Sequence, residues 1–226
     1  MKVLCIGDSL GLPREGCPYE TTWFYRLKET FTEHEFIDYF IRGLLIIDAL
    51  HRYTTYFQYY KADVAIIQTG ICDCSPRFIN DKKTLPKLLI KISQRIGVEA
   101  FFWKIVKMGE RKANCVYTQY DTFLNIYSQL VNKLICSGVK KIIFVKIGHA
   151  TDRVLTKNPF FNSNVDKYNI AIEQICEKYP NETTMIDPLH DIGEEDFVDG
   201  YHCNPRGMEK VYMALKAKIA TYGSTE

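Results

Sequence analysis

The first ten residues, Met1-Lys-Val-Leu-Cys-Ile-Gly-Asp-Ser-Leu10, constrain the fold more than any other stretch of the chain. Val3, Leu4, Cys5 and Ile6 form a continuous apolar run that stops at a glycine. Successive side chains of a strand point to opposite faces, so an unbroken apolar run suits a strand covered on both sides, as in a parallel sheet. Gly7 lets the chain turn sharply, and Asp8-Ser9 stands where the strand gives way to a connection. In open α/β sheets chemistry gathers beyond the carboxyl ends of the strands. Ser9 is therefore a turn residue or a nucleophile. A nucleophile needs a base, a group that orients the base, and donors for an oxyanion.

The rest of the chain alternates in the same manner. A turn-rich loop (11–18) leads to a helix over about 20–32, with Trp23, Leu27 and Phe31 on one face. Residues 35–41 read as a second strand ending at Arg42-Gly43, and the tyrosine-rich segment 44–60 as helical. Residues 62–68 form a third strand, followed by the loop Thr69-Gly-Ile-Cys-Asp-Cys-Ser-Pro-Arg77. Leu85, Leu88, Leu89, Ile92 and Ile96 keep helical spacing, 100–108 mixes aromatics with lysines, and 109–115 is polar. A helix over 120–136 is stopped by Gly138 in a helix C-cap position. Residues 140–147 are a fourth strand, and Ser163 with Asp166 resembles a capping box opening a helix towards Tyr179. Residues 183–187 are a fifth strand. Asn204 and Pro205 then suit the N-cap and first turn of a last helix, buried through Met208, Val211, Tyr212, Leu215 and Ile219.

Strands alternating with helices predict an α/β fold of three α/β/α layers, flavodoxin-like, around a parallel five-stranded sheet. The simplest doubly wound order is 2-1-3-4-5, whose crevice opens between the ends of strands one and three. Ser9 and the loop from Gly70 to Arg77 then lie side by side. A length of 226 residues, 46% of them hydrophobic, fits one soluble domain over 1–226 with a helical insertion around 97–119. The net charge of +2 and scattered lysines and arginines, with no single basic stripe, give no reason to expect nucleic acid. No signal peptide precedes the first strand and no apolar run reaches membrane-spanning length. Of the eight cysteines, Cys5, Cys136 and Cys176 sit inside apolar patterns, where a free thiol behaves as a small hydrophobe. The reading is a reducing, cytoplasmic location.

Asp199-Gly-Tyr-His202 lies just before the last helix, where a histidine can reach over the crevice to Ser9 with Asp199 beside it. Histidine would accept the serine proton and return it to the leaving group, while the carboxylate fixes the ring's tautomer. Taken alone, His202 would more simply pack beside a helix N-terminus. Coincidence with a serine at the correct strand end favours the catalytic reading. Four blocks, Gly7-Asp8-Ser9-Leu10, Gly43, Gly70-Ile71-Cys72-Asp73 and Asp199-Gly200-Tyr201-His202, resemble in order and spacing those of the SGNH (GDSL-type) hydrolase family. The resemblance implies a flavodoxin-like fold and ester hydrolysis with no metal or other cofactor. It carries over Ser9 as nucleophile, His202 as base and Asp199 as the orienting acid, with the N–H groups of Ser9 and Gly43 as oxyanion donors.

One position departs from that family pattern. Cys72 stands where the family has an asparagine whose amide completes the oxyanion hole, and a thiol is a poor donor. Two backbone donors suffice, or Arg77 or another group of the loop supplies the charge, or the protein has moved to acyl transfer or to binding. The Asp-Cys loop followed by Pro-Arg is similar to SGNH proteins associated with bacterial surface-polysaccharide synthesis.

Other residues have bland readings beside sharper ones. Cys72-x-Cys74 with His149 and His202 lacks the spacing of a zinc site. Asp73 reads as a loop-structuring carboxylate, and Arg77 as equally a partner of Asp73 or Asp81 and a substrate contact. His149 reads as a capped loop histidine more than a pocket residue, Phe101, Phe102 and Trp103 as core or interface more than a lid, and Glu194-Glu195-Asp196 as a solvated loop. Asp8, Gly70, Asp73, Arg77 and His149 are the substrate-binding candidates. The leading expectation is a serine esterase acting on small O-acyl groups, O-acetyl on a sugar or polysaccharide precursor above all. An acyltransferase with a sugar acceptor, and a non-catalytic glycan- or protein-binding module, stand as alternatives. The expected partner is a small-molecule or carbohydrate ester, with no nucleic acid and no membrane span, and a homo-oligomer is left open.

Overall fold

In the computed structural model, which describes residues 1–77, 79–81, 84–109 and 115–223, five strands form one parallel sheet in the order β2-β1-β3-β4-β5. In chain order the elements are β1 (Lys2–Gly7), α1 (Trp23–Thr30), β2 (Glu35–Phe40), α2 (Ile46–Arg52), a π-helical turn (Tyr53–Phe57) and α3 (Gln58–Tyr60). Then come β3 (Val64–Gln68), α4 (Ile71–Cys74), α5 (Thr84–Arg95), α6 (Glu99–Gly109), α7 (Tyr120–Cys136) and β4 (Lys141–Val145). The chain closes with α8 (Asp152–Leu155), α9 (Phe161–Lys178), β5 (Thr183–Ile186) and α10 (Pro205–Gly223).

Every residue of β3, the central strand, is buried. The two-residue alternation along the strands divides the core into two layers. Val3, Cys5, Val64, Ile66, Ile143 and Val145 pack with α1 and α10 on one face. Leu4, Ile6, Ala65, Ile67, Ile142 and Phe144 pack with α2, α7 and α9 on the other. The chain leaves β1 for the first face and reaches β3 from the second, so the crevice predicted from the strand order lies between their carboxyl ends. Gly7, the last residue of β1, is held there by space: a Cβ on it would come within 2.3 Å of the Phe40 ring.

Several boundaries move for identifiable reasons. The first helix starts at Trp23 because Tyr19–Thr21 form a separate 3-10 turn and Thr22 caps α1, its Oγ1 accepting from the Tyr25 N–H at 3.3 Å. The expected Ser163–Asp166 capping box is not formed. α9 begins three residues earlier than that cap would set, at Phe161; the Ser163 hydroxyl donates to the Phe160 carbonyl at 3.0 Å, and Asp166 pairs with His149 instead. Asn204 caps α10 as expected, its Oδ1 accepting from the Arg206 N–H at 2.9 Å. The 97–119 region belongs to a longer excursion. Arg77 and Cys115 pair as an antiparallel bridge, and α5 and α6 lie between them as a hairpin turned at Gly97. Most of the polar 109–115 stretch, residues 110–114, lies outside the described residues.

The acidic run Glu194-Glu195-Asp196 is not simply solvated. Asp196 is fully buried and forms ion pairs with Lys210 at 2.8 Å and Arg206 at 3.1 Å, while its carboxylate accepts the Gly193 N–H. Those partners anchor the loop after β5 to the first turns of α10, and Asp199 and His202 hang from that loop.

Candidate active site

The β1 strand delivers Asp8 and Ser9 to the carboxyl end of the sheet, and a one-turn 3-10 helix over Ser9–Gly11 fixes the serine. Asp8 caps that turn: its Oδ1 accepts from the Leu10 N–H at 2.9 Å. From the opposite side, the loop between β5 and α10 folds back on itself, with the Val198 N–H donating to the His202 carbonyl at 2.8 Å. His202 Nε2 then lies 3.0 Å from Ser9 Oγ, and its Nδ1 lies 2.7 Å from Asp199 Oδ2. Asp199 Oδ1 accepts the backbone N–H of His202 at 3.0 Å, which fixes the carboxylate against the ring. The three residues that the sequence pairs across 193 positions are joined in one hydrogen-bonded line.

The electrostatics of this line favour a neutral imidazole beside a charged carboxylate. Burial pushes the His202 pKa below its ordinary value, Asp199 works against that shift, and the charge of Arg14 adds to it. Burial opposes charge on Asp199, but hydrogen bonds from the His202 ring and backbone outweigh it and hold the carboxyl below its ordinary range. A serine hydroxyl bonded to a neutral imidazole, itself bonded to a carboxylate, can pass its proton to the ring as the oxygen attacks a carbonyl. Among the described residues, neither the Ser9 nor the Gly43 N–H has a hydrogen-bond acceptor. Gly43 follows β2 with φ +74°, and β2 is the neighbour of β1, so both N–H groups belong to loops at the same end of the sheet.

The loop after β3 holds the remaining candidates. Gly70 has φ +119°, which favours glycine, and its carbonyl accepts from the N–H groups of Asp73 and Cys74 to start α4. Asp73 is buried, accepts the Ile46 N–H at 3.1 Å and the Thr118 hydroxyl, and so ties α4 to the N-terminus of α2. Cys72, half-buried on α4, lies near enough to Tyr117 and Tyr201 to affect the ionisation of both. Arg77 makes no ion pair with Asp73 or Asp81; its guanidinium stacks 3.9 Å from the centre of the Tyr117 ring, and Tyr117 donates to Asp81. His149 is drawn to a different place. It pairs with Asp166 at 2.6 Å in a cleft of about 520 Å³ at the ends of β4 and β5, lined also by Asp187 and His190 and by none of Ser9, Asp199 and His202. Among the described residues no group of three His, Cys, Asp or Glu side chains is placed to hold a metal ion, and Cys74 is buried with its thiol against the Ile71 carbonyl.

Two arginines at the site were not singled out in the sequence. Arg14 donates to the Ser9 carbonyl and lies near Asp199 and Tyr201, and Arg42 donates to the Pro13 carbonyl at 3.1 Å. Both contribute positive potential at His202. Their signal was slight, since each sits in a turn-rich loop where an arginine ordinarily faces solvent. The Tyr201 ring also lies against the His202 ring, centre to centre 4.0 Å and tilted by 35°.

No family model matches the chain, and no curated protein matches it by sequence. Solved structures do match by shape. A GDSL-like lipase from Bacteroides thetaiotaomicron superposes with a TM-score of 0.64 at 14% identity, over 98% of this chain and 88% of that one. A lipase/acylhydrolase from Enterococcus faecalis gives 0.66 at 14% identity, over 96% and 94%. A catalytic mutant of an acetylxylan esterase from Geobacillus stearothermophilus gives 0.64 at 15% identity, over 96% and 93%. At these identities the likeness establishes a shared fold along nearly the whole chain.

Proposed function

We propose that this chain is a serine ester hydrolase of the SGNH (GDSL-type) family, working as one domain over residues 1–226. The observation that carries the reading is the line Ser9 Oγ, His202 Nε2, His202 Nδ1 and Asp199 Oδ2, with 3.0 Å and 2.7 Å contacts at the mouth of the β1–β3 crevice. Its fold is that of esterases and lipases, which supports the reading.

Ser9 Oγ attacks the ester carbonyl while His202 Nε2 takes its proton. The tetrahedral oxyanion is held by the N–H groups of Ser9 and Gly43. Collapse expels the alcohol, which receives the proton from His202, and leaves an acyl-Ser9. Water activated by His202 then cleaves the acyl group, and Asp199 steadies the imidazolium in both halves. The substrate class we favour is a small O-acyl ester, an O-acetyl group on a sugar or polysaccharide precursor, as the acetylxylan esterase in the same fold class acts on a sugar ester. The eight cysteines, none of them in a disulfide, fit a reducing compartment such as the cytoplasm.

The test is incubation with p-nitrophenyl acetate, followed by intact-protein mass measurement with and without sugar acceptors. Turnover with transient acylation at Ser9 is expected. Ser9→Ala should remove it, at a cost of several powers of ten in kcat, while leaving the fold intact. Full activity in that variant would remove Ser9 from the chemistry. Turnover that depends on an acceptor would identify a transferase, and no acylation at all a binding module.

A further inference from the structure

The α5–α6 hairpin is amphipathic in the wrong sense for a water-soluble surface. Of the fourteen large hydrophobic residues exposed among the described residues, eight lie between Leu85 and Ile105. Leu85 is 67% exposed and Ile96 65%, yet the one buried residue of α5 is Ser93. At 3.6 residues per turn, Leu85, Leu88, Leu89, Ile92 and Ile96 fall within an arc of about 100°. The neighbouring arc carries Lys87, Lys91 and Arg95, all exposed. On α6, Phe101 (64% exposed) and Ile105 continue the apolar surface, with Lys104 exposed beside them.

Charge says what this surface meets. Residues 82–112 hold nine lysines and arginines against two glutamates in a chain whose net charge is only +2, so the rest of the molecule is net negative. The basic residues are therefore concentrated here, contrary to the scattered distribution expected from the whole sequence. Glu99 is engaged within the hairpin, accepting from Gln94 and Trp103. A second copy docking face to face would set this basic surface against itself. An anionic bilayer offers what both arcs require, acyl chains for the leucines and phosphates for the lysines. α5 and α6 pack chiefly on each other, and their root, the Arg77–Cys115 bridge, continues directly from the α4 loop of the candidate site.

We propose that the α5–α6 hairpin is a peripheral membrane anchor that lays its apolar arc into the interface of an anionic bilayer. The hairpin lies in the membrane surface and does not cross it; among the described residues no helix is long and apolar enough to do so. On the ester hydrolase reading proposed above, docking through a segment that continues from the α4 loop would hold the enzyme at a lipid surface, where an ester substrate attached to lipid would be concentrated.

Vesicle flotation with the full chain tests this, using phosphatidylcholine with and without about one third phosphatidylglycerol. The protein should float with the anionic vesicles at low salt, far less with the neutral ones, and be released by added salt. Leu85→Ser/Leu88→Ser/Ile92→Ser should abolish flotation, and Lys87→Gln/Lys91→Gln/Arg95→Gln should weaken it about 100-fold, three charges being removed near the surface. Thermal melting would show both variants folded, since the altered side chains are exposed. Failure of the parent to float, flotation undiminished in the leucine variant, or equal binding to neutral vesicles would each overturn the proposal. So would a parent that does not float but dimerises through the same leucines, which would assign the surface to a second copy.

Discussion

Asp8 and Ser9 are adjacent in sequence and opposite in what they tolerate. Ser9 faces the crevice, whereas Asp8 is fully buried, and its Oδ2 has no hydrogen-bond partner among the described residues. Burial raises the Asp8 pKa from 3.8 to about 7, with the nearby Asp73 adding to the rise and the Leu10 N–H opposing it. An acid with a raised native pKa keeps its proton in the folded chain after the unfolded chain has lost it. Stability should therefore fall as pH climbs through the window from 3.8 to about 7. Asp8→Asn, which keeps the acceptor for Leu10 and stays neutral, should melt higher than the parent above pH 8, by up to a few kcal/mol in stability. The gain should vanish near pH 4, and an equal gain at both values would refute the titration argument. His202 sets the other pH effect. Its pKa is lowered, so the neutral base persists into more acid solution, and the acid limb of kcat/KM should have its midpoint below 6.5 as His202 gains a proton. A midpoint above 6.5 in the acid limb would contradict that environment.

At the scale of the element, α4 is a single turn, Ile71–Cys74, that places two unlike residues back to back. Asp73 turns inward to bind the Ile46 N–H and the Thr118 hydroxyl, and Cys72 is left on the half-exposed side towards Tyr117 and Tyr201. If a side-chain donor is what the oxyanion lacks, Cys72→Asn should add one, raising kcat by ~10²-fold, the scale of one such donor, with little change in KM. Arg77 is held on the Tyr117 ring, so Arg77→Ala should change kcat less than tenfold by removing stacking alone, an effect of about 1 kcal/mol. Steady-state kinetics on one activated ester separates the cases. A sharp loss in Arg77→Ala would make that guanidinium the donor, and no change in either variant would leave the backbone N–H groups of Ser9 and Gly43 as sufficient. The elements differ in how readily their sequences disclose them. α7 matches its expected bounds because a long apolar periodicity ends at a glycine with φ +102°. α9 does not, because Ser163 and Asp166 fit a capping pattern, yet Ser163 bonds back to the Phe160 carbonyl at the start of the helix and Asp166 is taken by His149, seventeen residues away.

For the whole molecule, the sheet order and its crevice were legible because the inner strands β1, β3 and β4 carry short apolar runs ended by a turn, and parallel connection leaves few ways to arrange five strands. The juxtaposition of Ser9 with His202 followed from that order. What was not legible depends on contacts, or their absence, that no local pattern marks: Arg14 reaching the Ser9 carbonyl, Asp196 buried under Lys210, and the outward face of α5. Helical spacing in 85–96 marks an apolar face but carries no information on what covers it, and the inward side turned out to hold Ser93. The hairpin can therefore be separated from the fold. Its two ends are already paired through Arg77 and Cys115, and Asn80 and Tyr117 hold the root from either side, the Asn80 amide donating to the Val116 carbonyl at 3.2 Å. Replacing residues 82–112 by a short glycine linker should leave those contacts, both core layers and the Ser9–His202 line in place. The shortened chain should unfold in one cooperative transition and hydrolyse a soluble ester within about tenfold of the parent, a change of no more than about 1.4 kcal/mol in transition-state stabilisation. Denaturant melting and p-nitrophenyl acetate kinetics measure both. A chain that no longer folds would make the hairpin part of the core, and a folded but inactive one would make it part of the site.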